Sequence, residues 1–568
     1  MHHYKPAYYL PFLFLLLLMA CHDEKKIKVK EIVADPASID AVIQKNIKDQ
    51  LSFASDNHGL VPDSFRIELL PVLLAYYEED DHLPLWSSKA QWSSFVDPFI
   101  SYLDSSVVDG LFRDDYHYAD IMFLKASLDE DSVKRMDAVL WAKADVLFTD
   151  AFMHVIQDLK QGRLQPDTLD WKHDPARHAS FFIPTLKLLT SLPLDSILKQ
   201  LQPAIQGYWH LKEGIKNFLD SMDTKNYMYV PYPYKIGDKA DSASFVEKLV
   251  VRFKEASIPV SDKPDSLQLS ISIKKYQQHV KVNPDGKISP SLIRKLNMTD
   301  VEKYNRIAIT LDRYKQLPDT MPEKYVLVNL PGYYLQVWDM DTITFTSKVI
   351  CGKPSTPTPF ITSAINNMVI YPTWTVPTSI IKKEILPGLK KSSGYLAKKG
   401  LNLYNNRGEL VDPATVNWEK YSKGIPYKVQ QGSGDNNALG VIKFNFNNPY
   451  DVYLHDTNQR YLFKNSSRAL SHGCVRVQDW EKLAFYLVRN DSLHMKSGDT
   501  LSYNTDSIVN WIAKKEKHRV EVNNKIPLFI RYFGCDAVHG SLKFYDDIYD
   551  EDKKVKEKYF AHNSVRPK

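Results

Sequence analysis

The sequence predicts a multidomain α+β protein: a helical N-terminal scaffold, a small helical module, and a β-rich domain that carries an inserted lid. Three observations predict it. The chain has 568 residues, several times the usual ~100 to 200 residues of one domain. Its composition is 44% hydrophobic and 25% charged, with 33 Tyr and 10 Trp, which supplies packed interiors and excludes a disordered chain. The apolar pattern also changes along the chain, from helical spacing in the first half to runs of β-branched and aromatic residues in the second.

The elements follow in order. Residues 1–20 place Lys5 ahead of an uncharged apolar run from Ala7 to Ala20, too short to span a bilayer, and read as a secretory signal. The run ends Leu18-Met19-Ala20-Cys21, which resembles the lipobox of bacterial lipoproteins. Cys21 is therefore the expected lipidation site and first residue of the mature chain, and the lipid would hold the protein to a membrane at ~0.8 kcal/mol per buried methylene. The expected location is periplasmic and membrane-anchored, with His22, where some lipoproteins carry a retention Asp, favouring the outer membrane.

Residues 21–37 are charged, lack periodicity and read as a tether. Residues 38–238 are helical in character: SIDAVIQKNIKDQLSFA and DSVKRMDAVLWAKADVLFTDAFMHVIQDLKQGRL set apolar residues three and four apart. Residues 239–300 read as helix, Asn283-Pro284-Asp285-Gly286 turn and second helix, with Ser289 as its cap and Pro290 at its first position. Within residues 301–505, YVLVNL, YYLQVWD and ITFTSKVI form a β-meander. The stretch 377–427 is instead rich in Lys, Gly and Ser, with a helix near SIIKKEILPGLKK, and reads as an insertion over the sheet. Residues 506–568 form a C-terminal segment expected to pack on the scaffold or the β-rich domain.

A net charge of +5 with no prominent Lys/Arg block excludes nucleic acid as the leading partner. Beyond Cys21 the cysteines are Cys351, Cys474 and Cys535, an odd number, so at least one thiol stays unpaired within the chain. Cys351 and Cys535 read most simply as packed thiols, with a disulfide between them as the alternative. Cys474 differs, because it lies in YDVYLHDTNQRYLFKNSSRALSHGCVRVQDWEKLA with two histidines. A cysteine nucleophile reacts as thiolate, and at an ordinary pKa of ~8.5 only a small fraction is ionised at neutral pH, so it needs a base or cation beside it. His455 and His472 are available, and Gly473 lets a substrate approach the backbone. An inert core thiol and a zinc site are the bland alternatives. The two-residue spacing of His472 and Cys474, without a fourth ligand, argues against zinc, and no metal or organic cofactor is implied.

These residues carry a resemblance. A histidine ahead of Ser471-His472-Gly473-Cys474 resembles the signature of the L,D-transpeptidases, whose catalytic domain is of YkuD type. KYVLVNLPGYYLQVW, VICGKPSTPTPF, YPTWTVPTSIIKKEILPGL, VDPATVNWEKYS and NALGVIKFNFNNPYDVYLHDT look like further landmarks of its large Gram-negative members. DGKISPSLIRKLN is similar to a type-1 peptidoglycan-binding domain, and PLWSS with FTDAFMHVIQDLKQGRLQP to the scaffold domain.

The resemblance implies Cys474 as nucleophile and His455 as general base and acid. His472, Gly473, Arg476 and Ser471 would line the substrate or oxyanion site, with Arg476 gripping a substrate carboxylate and Ser471 mainly holding local structure. The implied partners are peptidoglycan stem peptides and glycan, with a carbapenem as covalent inhibitor of Cys474. The implied reaction joins two stems in a 3-3 cross-link, or exchanges the terminal D-amino acid, in wall biogenesis. The same residues also serve an L,D-carboxypeptidase or endopeptidase, while a non-catalytic peptidoglycan-binding lipoprotein would need neither His455 nor Cys474.

Overall fold

The computed structural model describes residues 28–61, 65–164, 179–231, 239–495 and 502–560. The signal, Cys21, His22 and the start of the tether lie outside them. The chain divides into two compact units. The first takes residues up to Pro98, Tyr116–His154 and His178–Leu186; the second takes Phe99–Asp115, Val155–Arg177 and everything from Lys187.

The first unit is helical. In the helix Ile39–Asp56 the buried Ile39, Ile43, Ile47, Leu51 and Ala54 recur at three- and four-residue spacing, which turns one face inward. Trp86, Phe148 and Phe152 form an aromatic cluster in its core. The buried Asp145 carboxylate accepts from the Tyr77 hydroxyl (2.6 Å) and the Trp86 backbone N–H (2.8 Å). Burial pushes its pKa up to about 6, against the pull of those hydrogen bonds.

The second unit is built around a nine-stranded sheet. Its strands are β1 (Lys324–Asn329), β2 (Tyr334–Asp339), β3 (Thr342–Gly352), β4 (Ile361–Ile370), β5 (Ile442–Phe446), β6 (Leu454–His455), β7 (Ala469–Ser471), β8 (Val475–Val477) and β9 (His518–Arg531). The order is β7-β3-β8-β6-β5-β4-β9-β1-β2, and β2 pairs again with β3, so the pairings close a circuit with β7 outside it. Closure removes open edges from most of the sheet.

Alternation assigns each strand two faces. In β1, Val326 and Val328 join a core with Val349, Ile365, Leu454, Val475 and Leu528. Tyr325 and Leu327 point the other way, into a second core with Tyr304, Ile307 and Leu311 of the helix Asp300–Tyr314. The long helix Trp480–Leu493 closes the first core with Leu483, Ala484 and Leu487.

The sheet does not stop at residue 505. Strand β9 lies between β4 and β1, antiparallel to one and parallel to the other. The IPLFIRYFG run is therefore a central strand rather than a segment packed on a finished domain, because Leu528 and Ile530 fill the core that β1 and β4 leave between them.

Two smaller bodies in this unit carry cores of their own. Helices Lys239–Glu255, Ser266–His279 and Pro290–Asn297 gather Phe245, Leu249, Phe253, Ile273, Leu292 and Leu296. The Ser289 hydroxyl caps the last helix by accepting from the Leu292 N–H at 3.2 Å. The other body is the insertion after β4. Strands Trp374–Thr375, Lys428–Gln431, Leu401–Tyr404 and Leu410–Val411 pair in that order, so its entering and leaving strands are neighbours. A helical run from Thr378 to Lys391, with a π turn at Ile381–Ile385, packs on Leu403, Trp418 and Val429.

Candidate active site

The sheet brings His455 and Cys474 together. Strands β6 and β8 run parallel, with Leu454 opposite Val475 and His455 opposite Arg476. Leu454 and Val475 point into the core, so Tyr453, His455, Cys474 and Arg476 share the other face by the two-residue alternation. The Val475 N–H donates to the Tyr453 carbonyl at 3.1 Å, which sets Tyr453 beside Cys474. On the opposite side of β6, Lys443 of β5 pairs with His455.

Each group is held in place. The Nδ1–H of His455 donates to the Asp456 carbonyl at 2.5 Å. A carbonyl only accepts, so Nδ1 carries the proton and Nε2 keeps a free lone pair. Asp456 is itself buried and anchored: its carboxylate accepts from the Val441 N–H (3.1 Å) and from Arg460 (2.5 and 3.0 Å). Gly440, at φ +61°, gives the room, since a Cβ there would meet Asp456 Oδ2 at 2.2 Å.

Electrostatics keep the resting pair neutral. Burial, then the Arg476 charge, lowers the His455 pKa to about 3, with only the Asp456 carbonyl opposing. Burial raises the Cys474 thiol, while hydrogen bonds from Tyr453 and the charges of Lys443 and Arg476 pull it back down. The thiol S–H faces the Asp451 carbonyl at 3.8 Å, and Asp451 adopts the left-handed region at φ +55°.

The turn before the cysteine is closed by Ser471. Its hydroxyl accepts the Gly473 N–H (3.1 Å) and donates to the Cys474 carbonyl (2.5 Å). Both groups thus serve the turn: the Ser471 hydroxyl and the Gly473 N–H are engaged with each other. Gly473 sits at φ +123°, where side chains are strained, and its carbonyl accepts from the Thr358 hydroxyl at 2.8 Å.

His472 points elsewhere. Its Nε2 pairs with Glu384 Oε1 at 2.5 Å, and Glu384 lies on the π turn of the insertion. Arg476 donates to Gln459 at 3.0 Å, and its buried Nε has no hydrogen-bond partner. Asp479, the carboxylate next along the chain, pairs with Lys482 at 3.4 Å.

Cys351 and Cys535 are free, buried thiols. Burial pushes each up to about 12, and they belong to different cores, so no disulfide joins them. Sequence reasoning missed Lys443, Tyr453 and Glu384. Lys443 and Tyr453 alternate with core residues as the outward face of any strand does, and neither they nor Glu384 belong to the motif.

Residues 323–495 match the family model of the L,D-transpeptidase catalytic domain, YkuD. That stretch is similar to an L,D-transpeptidase catalytic domain. Residues 71–215 match the Scaffold domain model. A Haemophilus influenzae protein that carries the L,D-transpeptidase name is 32% identical over 250 residues, covering 44% of this chain and 48% of its own length. The chain thus spans about half the length of that curated relative. Among solved structures, an L,D-transpeptidase from Mycobacterium smegmatis is 11% identical, covering 37% of this chain and 58% of its own (TM-score 0.17). An L,D-transpeptidase from Stackebrandtia nassauensis is 14% identical, covering 46% and 91% (TM-score 0.15). The matched stretch contains the whole β6–β8 constellation but ends before β9.

Proposed function

We propose that the protein forms 3-3 peptidoglycan cross-links, or exchanges terminal D-amino acids, through a thioester on Cys474. The observation that carries this reading is the bare Nε2 of His455, on the strand beside the one that presents Cys474 and on the same sheet face.

The chemistry follows from that pair. The Cys474 sulfur attacks the carbonyl carbon of the third residue of a tetrapeptide stem, and the thiol proton passes to His455 Nε2. The tetrahedral adduct collapses, the bond to D-alanine breaks, and the leaving nitrogen takes that proton. An amine of a second stem then attacks the thioester. Its proton travels through Nε2 to sulfur as the C–S bond breaks, so the thiol is restored. Arg476, with an unpartnered donor on the same face, takes a substrate carboxylate through its fork. In this reading the insertion, in contact with the turn through Glu384 and His472, restricts water, which favours an amine over hydrolysis.

The protein reaches its substrate as a periplasmic lipoprotein anchored through Cys21, with the outer membrane preferred, and its helical module at 239–300 contacts glycan. A carbapenem acylates Cys474 by the same attack. The test is the intact mass of the protein after a carbapenem, with muropeptide digests of wall treated with enzyme. One drug mass added to wild type, lost in Cys474→Ala and slowed in His455→Ala, with cross-linked dimers in the digest, is expected. A folded wild type that takes no adduct and leaves muropeptides unchanged would overturn the reading in favour of a wall-binding lipoprotein. Trimmed monomers without dimers would make it a carboxypeptidase.

A further inference from the structure

The positive charge beside the thiol comes from Lys443 and Arg476, not from His455. A thiolate needs a cation or donors beside it, yet the His455 imidazole, buried and with its pKa lowered to about 3, holds no standing charge. The groups that face the thiol are Lys443 of β5, Asp451, Tyr453 and His455 along the β6 edge, and Arg476 of β8. Among them Tyr453 occupies the central place. Its ring lies 5.5 Å from the His455 ring. The Lys443 ammonium sits 3.9 Å from the ring centroid, within cation–π range. The Val475 N–H, donating to the Tyr453 carbonyl at 3.1 Å, holds the tyrosine beside Cys474, and its hydroxyl interacts with the Cys474 and Trp374 side chains. A phenol has one proton to donate and lone pairs to accept with. The indole N–H only donates, so the Tyr453 proton is directed at sulfur.

We propose that Tyr453 is a further catalytic residue of this site: its hydroxyl donates to the Cys474 sulfur as that sulfur becomes charged, and the Lys443 ammonium against its ring supplies the counter-charge. The proposal rests on the reading of Cys474 as the nucleophile. In the resting state the S–H is satisfied by the Asp451 carbonyl; as the proton leaves for His455 Nε2, that carbonyl becomes an unfavourable neighbour and the phenol takes over. Donation from Trp374 into the same hydroxyl strengthens it as a donor, since hydrogen bonds in a chain polarise one another. Burial holds the Tyr453 phenol well above its ordinary range, so it keeps its proton and stays a donor while the thiol titrates. Trp374 belongs to the first strand of the insertion, which makes this donor chain depend on the lid sheet being in place.

The experiment is the pH profile of iodoacetamide alkylation at Cys474, read by mass on the Cys474 peptide from the folded full chain. Wild type, Tyr453→Phe and Lys443→Met are compared, with Cys474→Ala as blank. Loss of a hydrogen bond to a charged group is worth about one pH unit or more. The expected result is a midpoint about one unit higher in Tyr453→Phe, an alkylation rate near neutrality about tenfold lower, and a midpoint raised in Lys443→Met as well. A merely structural tyrosine would leave that midpoint in place. Should Tyr453→Phe fail to fold, 3-fluorotyrosine at position 453 keeps the ring and is the stronger donor, and the midpoint is expected to fall. A folded Tyr453→Phe with the wild-type midpoint, or a fluorotyrosine protein with none of that fall, overturns the proposal. The expected shifts in a protein that makes no cross-links uphold the tyrosine's role while refuting the transpeptidase reading. A folded wild type whose Cys474 resists alkylation across the pH range overturns both.

Discussion

His455 shows how a buried imidazole shapes stability. Its pKa in the fold, about 3, lies below the ordinary imidazole value near 6.5, so on acidification the unfolded chain binds a proton that the folded chain refuses. Stability from this residue is full above about pH 6.5 and is lost as pH falls towards 3. Three and a half pH units at about 1.4 kcal/mol each set an upper bound of about 5 kcal/mol. Chemical denaturation of the wild type between pH 7 and 4 is expected to show this slope, and His455→Gln, which cannot titrate, to flatten it; equal slopes would disprove the assignment. At this scale Cys474 and His455 were legible because the motif names them. Lys443 and Tyr453 were not, because a lysine and a tyrosine alternating with apolar residues look like the outward face of any strand.

Among the elements, the insertion is tied to the catalytic turn by one pair, Glu384 with His472. Against the burial that would raise it, the hydrogen bond and charge of His472 hold the Glu384 carboxyl below its usual range. Both side chains are more than one-third exposed, so the contact contributes about 0.2–1 kcal/mol. Glu384→Gln is expected to raise proteolytic nicking within 392–427 by up to about fivefold and to increase KM, with Cys474 alkylation little changed. Unchanged nicking would mean the core around Trp418 and Val429 holds the insertion alone. The helix near SIIKKEILPGLKK was readable from its spacing. The π turn that carries Glu384 was not, because the same residues fit an ordinary helix.

For the whole molecule, the consequential feature is the closed circuit of strand pairings. Strand β9 arrives more than a hundred residues after β4, yet hydrogen-bonds along both β4 and β1. Beyond it, Asp552 lies between Arg306 and Arg313 of the helix Asp300–Tyr314, binding the last described turn to the second core. A chain ended at residue 505 is therefore expected to lose cooperative unfolding and Cys474 acylation together, because two strands lose their partner and Leu528 and Ile530 leave the core. A cooperative melt of that truncated chain, read by circular dichroism, would refute this.

Sequence alone carried the motif and the helical or strand-like character of the long described segments. The Ser-His-Gly-Cys run, the preceding histidine, the helical spacing before residue 300 and the strand-like runs after 320 are local patterns, and local patterns survive without the fold. Tertiary structure alone decided three things. It joined β9 to the sheet, a pairing across a long separation that no window of sequence contains. It assigned the Gly473 N–H and the Ser471 hydroxyl to each other, which depends on the left-handed turn at Gly473. It also set Lys443 and Tyr453 around the thiol, because strand register, and not residue order, chooses which side chains become neighbours.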